Sequence, residues 1–172
     1  MGAPSLWMKE NEMSNINVND PNALTILHDK LIAAHRAFYT ADPKEQLSPM
    51  IIFYTPDGTG TAVSFHMDGG EDNKAYIAQK MKAMFAEQNV QMYAFFAEAW
   101  AAAYDKGKVD VMPSKREDRK EIVCTLVVHR DGRKMCSATE INRDWESGGA
   151  VLGKVENSGD SFGGRFAELF DE

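Results

Sequence analysis

The stretch EIVCTLVVHRDGRKMCSATEINRD, residues 121–144, contains two apolar runs on either side of the dipeptide Asp131-Gly132. Asp-Gly between two such runs is the strongest short signal for a β-hairpin. The sequence therefore predicts two antiparallel strands joined by a two-residue turn. In this register Arg130 faces Arg133, and every other pair follows by counting outward from the turn.

The predicted register assigns each side chain of the hairpin to one of its two faces. Leu126 faces Ser137, and Cys124 lies on the same face as Leu126. Val127 faces Cys136 on the opposite face. The two cysteines are therefore predicted to lie on opposite faces, where they cannot form a disulfide and behave as small apolar residues.

The preceding segment, VQMYAFFAEAWAAAY at residues 90–104, is compatible with either a helix or a strand. Its alanines and the spacing of its aromatic residues favour a helix. Both of its alternating faces are apolar, however, as in a strand that is covered on both sides. Because the segment also follows a predicted helix directly, we interpret it as a central strand.

Further upstream, the sequence predicts two helices and a second hairpin. Apolar residues at helical spacing predict helices over residues 21–41 and 72–88. The runs MIIFYT (50–55) and TAVSFHM (61–67) flank a turn-rich segment and predict the hairpin. Together these elements predict an α+β protein with a mainly antiparallel sheet of about five strands and both helices packed on one face.

The two ends of the chain are predicted to lie outside a single α+β domain of residues 20–145. Residues 1–19 predict an extended N-terminal arm, and residues 146–172 predict a glycine-rich tail that ends in a short amphipathic helix. The apolar anchor of the arm comprises Leu6, Trp7 and Met8. The apolar face of the C-terminal helix comprises Phe162, Phe166, Leu169 and Phe170.

The segment GGAVLGKV, residues 148–155, matches the spacing of a phosphate-binding loop. Such a loop needs a helix directly after it, whose N-terminal N–H groups bind the phosphate. Lys154 is followed by Val155, which has no hydroxyl for magnesium, and then by ENSGDS, which does not begin a helix. The sequence therefore predicts no nucleotide site here.

The composition indicates one domain that neither spans a membrane nor binds nucleic acid directly. The 172 residues carry a net charge of −7, whereas a nucleic-acid surface needs clustered basic residues. No apolar run is long enough to cross a bilayer. Two cysteines are too few for a secreted disulfide framework, so we expect the reducing cytoplasm, or the host cytoplasm or virion for a phage protein. No cofactor is predicted.

Three glutamates form the candidate catalytic site. Glu98 interrupts an otherwise apolar strand, and the predicted register places Glu140 and Glu121 on one face of the hairpin. If the central strand neighbours the hairpin, Glu98 and Glu140 converge, and two carboxylates can perform acid–base chemistry or bind a hard cation. The alternative interpretation, which we favour, is a partly buried glutamate at a strand end that is paired with Arg143 or Arg119, so that no residue is catalytic.

His28 and His35 are seven residues apart and share one side of the first predicted helix. Zinc ligands on one helix are usually three or four residues apart, because residues seven apart lie about 10 Å from one another. We therefore interpret both as histidines at the rim of the core, and we predict no metal site.

The segments EAW (98–100), PSKREDRKE (113–121) and HRDGR (129–133) together resemble an arrangement found in small uncharacterised bacterial and phage-borne α+β proteins. The resemblance covers roughly residues 90–145. It implies a phage or mobile-element origin, and it implies no known activity, cofactor or catalytic residue.

The apolar residues at both ends of the chain are not required by the predicted core, and such residues are typical of interfaces. The leading hypothesis is a non-catalytic protein-interaction or self-assembling module. The alternative for the apolar residues of the tail is that they pack on the sheet of their own chain. The interaction residues would be Leu6, Trp7, Phe162, Phe166, Leu169 and Phe170. A second hypothesis is a small carboxylate- or cation-dependent hydrolase centred on Glu98 and Glu140, and a third is an acidic inhibitor of a nucleic-acid-binding protein.

Overall fold

A computed structural model describes residues 15–41, 45–66, 70–101, 117, 119–144, 149–159 and 165–170. The helices are α1 (Ala23–Ala41) and α2 (Glu71–Glu87). The strands are β1 (Met50–Tyr54), β2 (Gly60–Ser64), β3 (Met92–Ala101), β4 (Lys120–His129), β5 (Lys134–Asp144) and β6 (Gly149–Gly159). They form a single six-stranded sheet in the order β2-β1-β3-β4-β5-β6, with every neighbouring pair antiparallel. The predicted α+β class and antiparallel sheet are confirmed.

Both helices begin and end within two residues of their predicted bounds. Before α1, the Asp20 carboxylate accepts the N–H of Asn22 at 2.8 Å, and its carbonyl accepts the N–H of Ala23 at 3.0 Å. Glu71 and Asp72 occupy the first turn of α2, where the helix dipole favours negative charge. Neither helix of the described residues has the length and apolarity to cross a membrane.

β3 is an inner strand of the sheet, so the interpretation of residues 90–104 as a central strand is confirmed. Ala94 pairs with Ile52 of β1 on one side and with Val127 of β4 on the other. Residues 92–97 are all buried, whichever face their side chains point to. Burial on both faces explains why the alternating pattern of this segment is apolar throughout.

The β4–β5 hairpin forms where the sequence predicts it, but its register differs by one residue. The N–H of His129 donates to the carbonyl of Arg133 at 2.8 Å, so the turn contains three residues rather than two. A two-residue turn of the predicted kind needs two left-handed residues, whereas only Gly132 adopts that conformation here, with φ of 99°. The predicted pairing of Arg130 with Arg133 is therefore wrong.

The one-residue shift changes which side chains share a face. Leu126 pairs with Cys136, and Cys124 pairs with Ala138. Cys124 and Cys136 are therefore diagonal neighbours on one face, and the prediction of opposite faces is wrong. The two cysteines do not form a disulfide.

The sheet buries an apolar cluster on each face. α1 packs against the even-numbered residues of β3, of which Phe96 is fully buried. α2 packs against the odd-numbered residues, of which Tyr93 is fully buried. Because successive side chains of a strand point to opposite sides, the helices cover opposite faces, which we call the α1 face and the α2 face. The prediction that both helices pack on one face is wrong, since the two apolar faces of β3 each need a cover.

β6 lies within the segment that the sequence predicts to be a glycine-rich tail. It pairs with β5, and Leu152 and Ile141 are partners that both belong to the core of the α1 face. Gly149 to Val155 of the loop-like segment are strand, and strand continues to Gly159. The segment thus lacks the loop-to-helix junction that a phosphate site requires. Further on, Arg165–Ala167 form a 3-10 turn in place of the predicted short helix.

The last residues of the predicted N-terminal arm pack against the folded body. Asn15 bridges to Thr59, and the N–H of Ile16 donates to the carbonyl of Gly58 at 3.1 Å. Ile16 and Val18 are buried in the core of the α1 face. Gly58 has φ of 83°, and a Cβ there would lie 2.6 Å from the carbonyl oxygen of Ile16, so this contact requires glycine.

Candidate functional site

The structure separates the three candidate glutamates. Glu98 of β3 and Glu121 of β4 both contact Arg143 of β5 on the α1 face. Glu140 points to the α2 face instead, where its Oε2 lies 3.4 Å from Nζ of Lys120. The predicted convergence of Glu98 with Glu140 does not occur, because the register shift turns Glu140 to the other side. The alternative interpretation, a half-buried glutamate paired with Arg143, agrees with the observed contacts.

Glu98 is held by three donors from separate parts of the chain. Its Oε1 accepts hydrogen bonds from the Tyr39 hydroxyl at 2.5 Å, the Leu47 N–H at 2.8 Å and Nη2 of Arg143 at 3.2 Å. No described residue donates a hydrogen bond to Oε2. The side chain is 15% exposed, so one carboxylate oxygen is fixed while the other is available to a ligand.

Arg143 joins the two carboxylates. Its Nε donates to both oxygens of Glu121 at 3.0 and 3.1 Å, and Nη2 lies 2.9 Å from Glu121 Oε1. The hydrogen bond to Glu121 raises the pKa of Arg143, although burial opposes it. Burial and then the hydrogen bond to Glu98 raise the pKa of Tyr39, so its hydroxyl stays protonated and donates. Two carboxylates and one guanidinium leave this cluster with a net negative charge.

A cavity of about 300 Å³ opens beside the cluster, and we call it the Trp100 cavity. Leu47 and Pro49, from the loop before β1, line one part of it. Glu98, Trp100 and Glu121 line another part. The cavity therefore combines an aromatic ring with two carboxylates at the ends of β3 and β4.

The Trp100 ring is 46% exposed and already contacts a cation. The guanidinium carbon of Arg119 lies 4.8 Å from the centre of the ring. Tyr76 on α2 makes a similar contact, with Lys80 Nζ 5.4 Å from its ring centre, but it does not line the Trp100 cavity. The contact at Trp100 thus places a cation on an aromatic face beside a cavity that Glu98 and Glu121 line.

The two helix histidines lie inside the core rather than at its rim, so that prediction is wrong. His28 is 6% exposed and His35 is fully buried. Nε2 of His28 lies 2.6 Å from the Ser137 hydroxyl, and its Nδ1 lies 3.6 Å from Asp29 Oδ1. This order of groups is that of a Ser-His-Asp triad, but Ser137 is completely buried, and a nucleophile must be reachable by its substrate. We interpret the contact as a structural hydrogen bond between α1 and β5.

Three of the predicted interaction residues pack within their own chain. Leu169 is buried, and its N–H donates to the Tyr93 hydroxyl at 3.3 Å. Phe166 stacks on Phe95 with ring centres 4.6 Å apart, and Phe170 lies 5.1 Å from the Tyr93 ring. These residues of the tail therefore pack on the sheet of their own chain, which is the alternative to an interaction role that the sequence also allows. Leu6, Trp7 and Phe162 lie outside the described residues.

The α2 face carries a second feature, a groove of about 880 Å³ between α2 and strands β3 and β4. Lys74 and Lys82 line its helical side, and Ala97 and Cys124 line its strand side. The Cys124 thiol shares a hydrogen bond with Cys136, and this contact, together with burial, raises the pKa of Cys124. The groove therefore reaches the Cys124 thiol, which lies next to that of Cys136.

Sequence reasoning identifies Glu98, Glu121 and Arg143, but it misses Tyr39 and Leu47. These two residues reach Glu98 across 59 and 51 residues of chain, and no local pattern predicts such contacts. For Trp100 a signal exists, because residues two apart in a strand share a face, and Trp100 is two residues from Glu98.

No protein-family model, no curated protein and no solved structure matches this chain. The described residues offer a cavity lined by Glu98, Glu121 and Trp100 on the α1 face, and a groove on the α2 face that reaches the Cys124 thiol.

Proposed function

We propose that this chain is a non-catalytic protein-interaction module that binds a cationic side chain of its partner in the Trp100 cavity. The observation that carries the proposal is the half-exposed Trp100 ring, which lies beside two carboxylates and is in contact with the guanidinium of Arg119. An arginine or lysine of a partner would exchange with Arg119 on the ring.

The chemistry of the cavity supports a cationic ligand. An aromatic face attracts a cation with about 0.5–2 kcal/mol, depending on how far the pair is desolvated. The open Oε2 of Glu98 adds an acceptor for a charge-assisted hydrogen bond, which is stronger than a neutral one. The net charge of −7 attracts basic partners at longer range and disfavours acidic ones.

The carboxylates themselves support binding rather than turnover. Glu98 and Glu121 are both bound to one buried guanidinium, as is typical of a structural ion-pair network. The third candidate, Glu140, lies on the opposite face and pairs with Lys120. A hydrolase centred on Glu98 and Glu140 would need both carboxylates at one substrate.

This proposal is compatible with two of the sequence-based hypotheses. A protein-interaction module and an acidic inhibitor of a nucleic-acid-binding protein both need a surface that binds arginine or lysine. Nucleic-acid-binding proteins present clusters of these residues to phosphates, so they belong to the class of partner that the cavity would fit.

Calorimetric titration with a hexa-arginine peptide tests the proposal. We expect the wild-type protein to bind the hexa-arginine peptide and to leave the mass of the peptide unchanged. We expect a hexa-glutamate peptide not to bind. Trp100→Ala should weaken binding about ten-fold or more, because the aromatic face is lost. Tyr76→Ala is the matched control, since it removes an exposed ring of α2 that also contacts a cation, and it should leave the affinity unchanged.

Two further variants separate specific recognition from general attraction to an acidic protein. Arg119→Ala removes the resident cation, so the affinity for hexa-arginine should rise. Glu98→Gln keeps the shape of the side chain but removes its charge, so the affinity should fall. Equal losses in the Trp100 and Tyr76 variants, or weaker binding by Arg119→Ala, would contradict the proposal.

A further inference from the structure

The second feature of the chain, the pair of thiols on the α2 face, is independent of the Trp100 cavity. Cys124 and Cys136 come from neighbouring strands and point to the same side of the sheet. Both are half-buried against the apolar cluster beneath α2, and Cys124 lines the open groove. Two adjacent thiols, of which Cys124 lines the open groove, can together bind a soft ligand.

The position of the two cysteines disfavours a direct bond between their sulfurs. They are diagonal neighbours, because Cys124 pairs with Ala138 and Cys136 pairs with Leu126. Diagonal positions of an antiparallel pair lie about 7–8 Å apart, whereas a disulfide usually spans Cα atoms about 4.4–6.8 Å apart. A metal ion placed between two sulfurs adds two bonds of roughly 2.3 Å and does not need the strands to move.

The ligand set selects the class of metal. Thiolates are soft ligands that favour Cu(I) among biological ions, while Zn²⁺ in a structural site takes four protein ligands. Among the described residues, no third His, Cys, Asp or Glu joins the two thiols in a metal-binding group. Two thiolates suit a monovalent ion that accepts linear, two-coordinate binding.

We infer that Cys124 and Cys136 form a two-thiolate site for a soft monovalent metal ion, of the class of Cu(I). The complex of one such ion with two thiolates carries one negative charge. Lys74 and Lys82 line the same groove, as do Glu71, Glu98 and Glu168, so the groove carries charges of both signs. The groove gives the ion a route to Cys124 without opening the core.

Binding is an exchange of protons for metal and involves no electron transfer. Two S–H bonds break, two metal–sulfur bonds form, and both protons go to solvent. Because binding releases protons, the affinity should rise with pH.

The test is an oxygen-free titration of the reduced full chain against Cu(I) held by bicinchoninate, whose absorbance reports transfer of the ion. We expect one Cu(I) per chain, confirmed by native mass spectrometry, with Ag(I) binding at the same stoichiometry. Cys124→Ser and Cys136→Ser should each weaken binding at least about 100-fold, because each removes one of two ligands. Cys124→Ala and Cys136→Ala provide second variants, and thermal melting shows which of the variants fold.

Met84→Leu is the matched control, since Met84 contributes another soft sulfur near the same apolar cluster. It should leave the affinity for Cu(I) unchanged. Failure of the wild-type protein to take Cu(I) from bicinchoninate would overturn the inference, and so would wild-type affinity in either serine variant. A Cys124–Cys136 disulfide that forms in air without any loss of thermal stability would also overturn it, because the strands would then permit the direct bond.

Discussion

At the residue scale, His35 shows how the apolar core beneath α1 disfavours a charged side chain. Its side chain is fully buried, and its ring centre lies 4.7 Å from that of Phe96. Burial, with a smaller contribution from His28, lowers the pKa of His35 from 6.5 to about 3. The histidine therefore remains neutral in the folded protein at a pH where the unfolded chain would be protonated.

This difference predicts that acid lowers the free energy of unfolding. Above pH 6.5, His35 is neutral in both states and contributes no pH dependence. Below pH 6.5 only the unfolded chain binds the proton of His35. The contribution of His35 to the free energy of unfolding therefore falls by about 1.4 kcal/mol per pH unit until about pH 3. The His35→Leu variant should lack this pH dependence when its free energy of unfolding is measured in urea between about pH 7.5 and pH 5. Equal slopes for the variant and the wild-type protein would show that His35 is not the group responsible.

At the scale of elements, local patterns predict positions well and register poorly. The two helices and strands β1 to β5 begin and end near their predicted bounds, because apolar periodicity and turn residues act over a few neighbours, whereas β6 was not predicted. Asp131-Gly132, in contrast, is compatible with a turn of two residues or of three, and the two differ in the backbone conformation of Asp131. That difference decides whether Glu140 joins Glu98 and Glu121 on one face of the sheet, so the candidate site was predicted only in part.

The ion pairs of β4 and β5 provide a test at this scale, because one is buried and the other is exposed. Arg143 is 5% exposed and binds two carboxylates, whereas the Lys120–Glu140 pair is 64% and 39% exposed. Arg143→Met should cost about 3–5 kcal/mol of stability, since it leaves buried carboxylates without their cation. Lys120→Met should cost about 1 kcal/mol or less. Chemical denaturation measures both losses, and losses of similar size would argue against a buried network around Arg143.

At the scale of the whole molecule, alternation along β3 and β4 distributes the chemistry between two faces. Glu98 and Glu121 face α1, whereas Cys124 faces α2. The first and last described segments also pack on different faces, since Val18 packs on the α1 face and Leu169 on the α2 face. These long-range placements depend on which faces remain uncovered after the sheet forms, and the sequence pattern of a terminal segment does not contain that information.

Both proposed sites depend on the register of the β4–β5 hairpin, so a measurement of this register tests both proposals. The N–H of His129 donates to the carbonyl of Arg133, so these residues form a hydrogen-bonded pair. Along an antiparallel ladder, hydrogen-bonded and non-hydrogen-bonded pairs alternate from one residue to the next. Leu126 with Cys136 is therefore a non-hydrogen-bonded pair, in which the Hα atoms of the two residues lie close together.

Nuclear Overhauser spectra of the folded protein report these Hα–Hα contacts. The structure predicts a cross-peak between Leu126 and Cys136, and another between Cys124 and Ala138. Cross-peaks that pair Leu126 with Ser137 instead would contradict the account, because that register separates the two thiols and returns Glu140 to the face of Glu98.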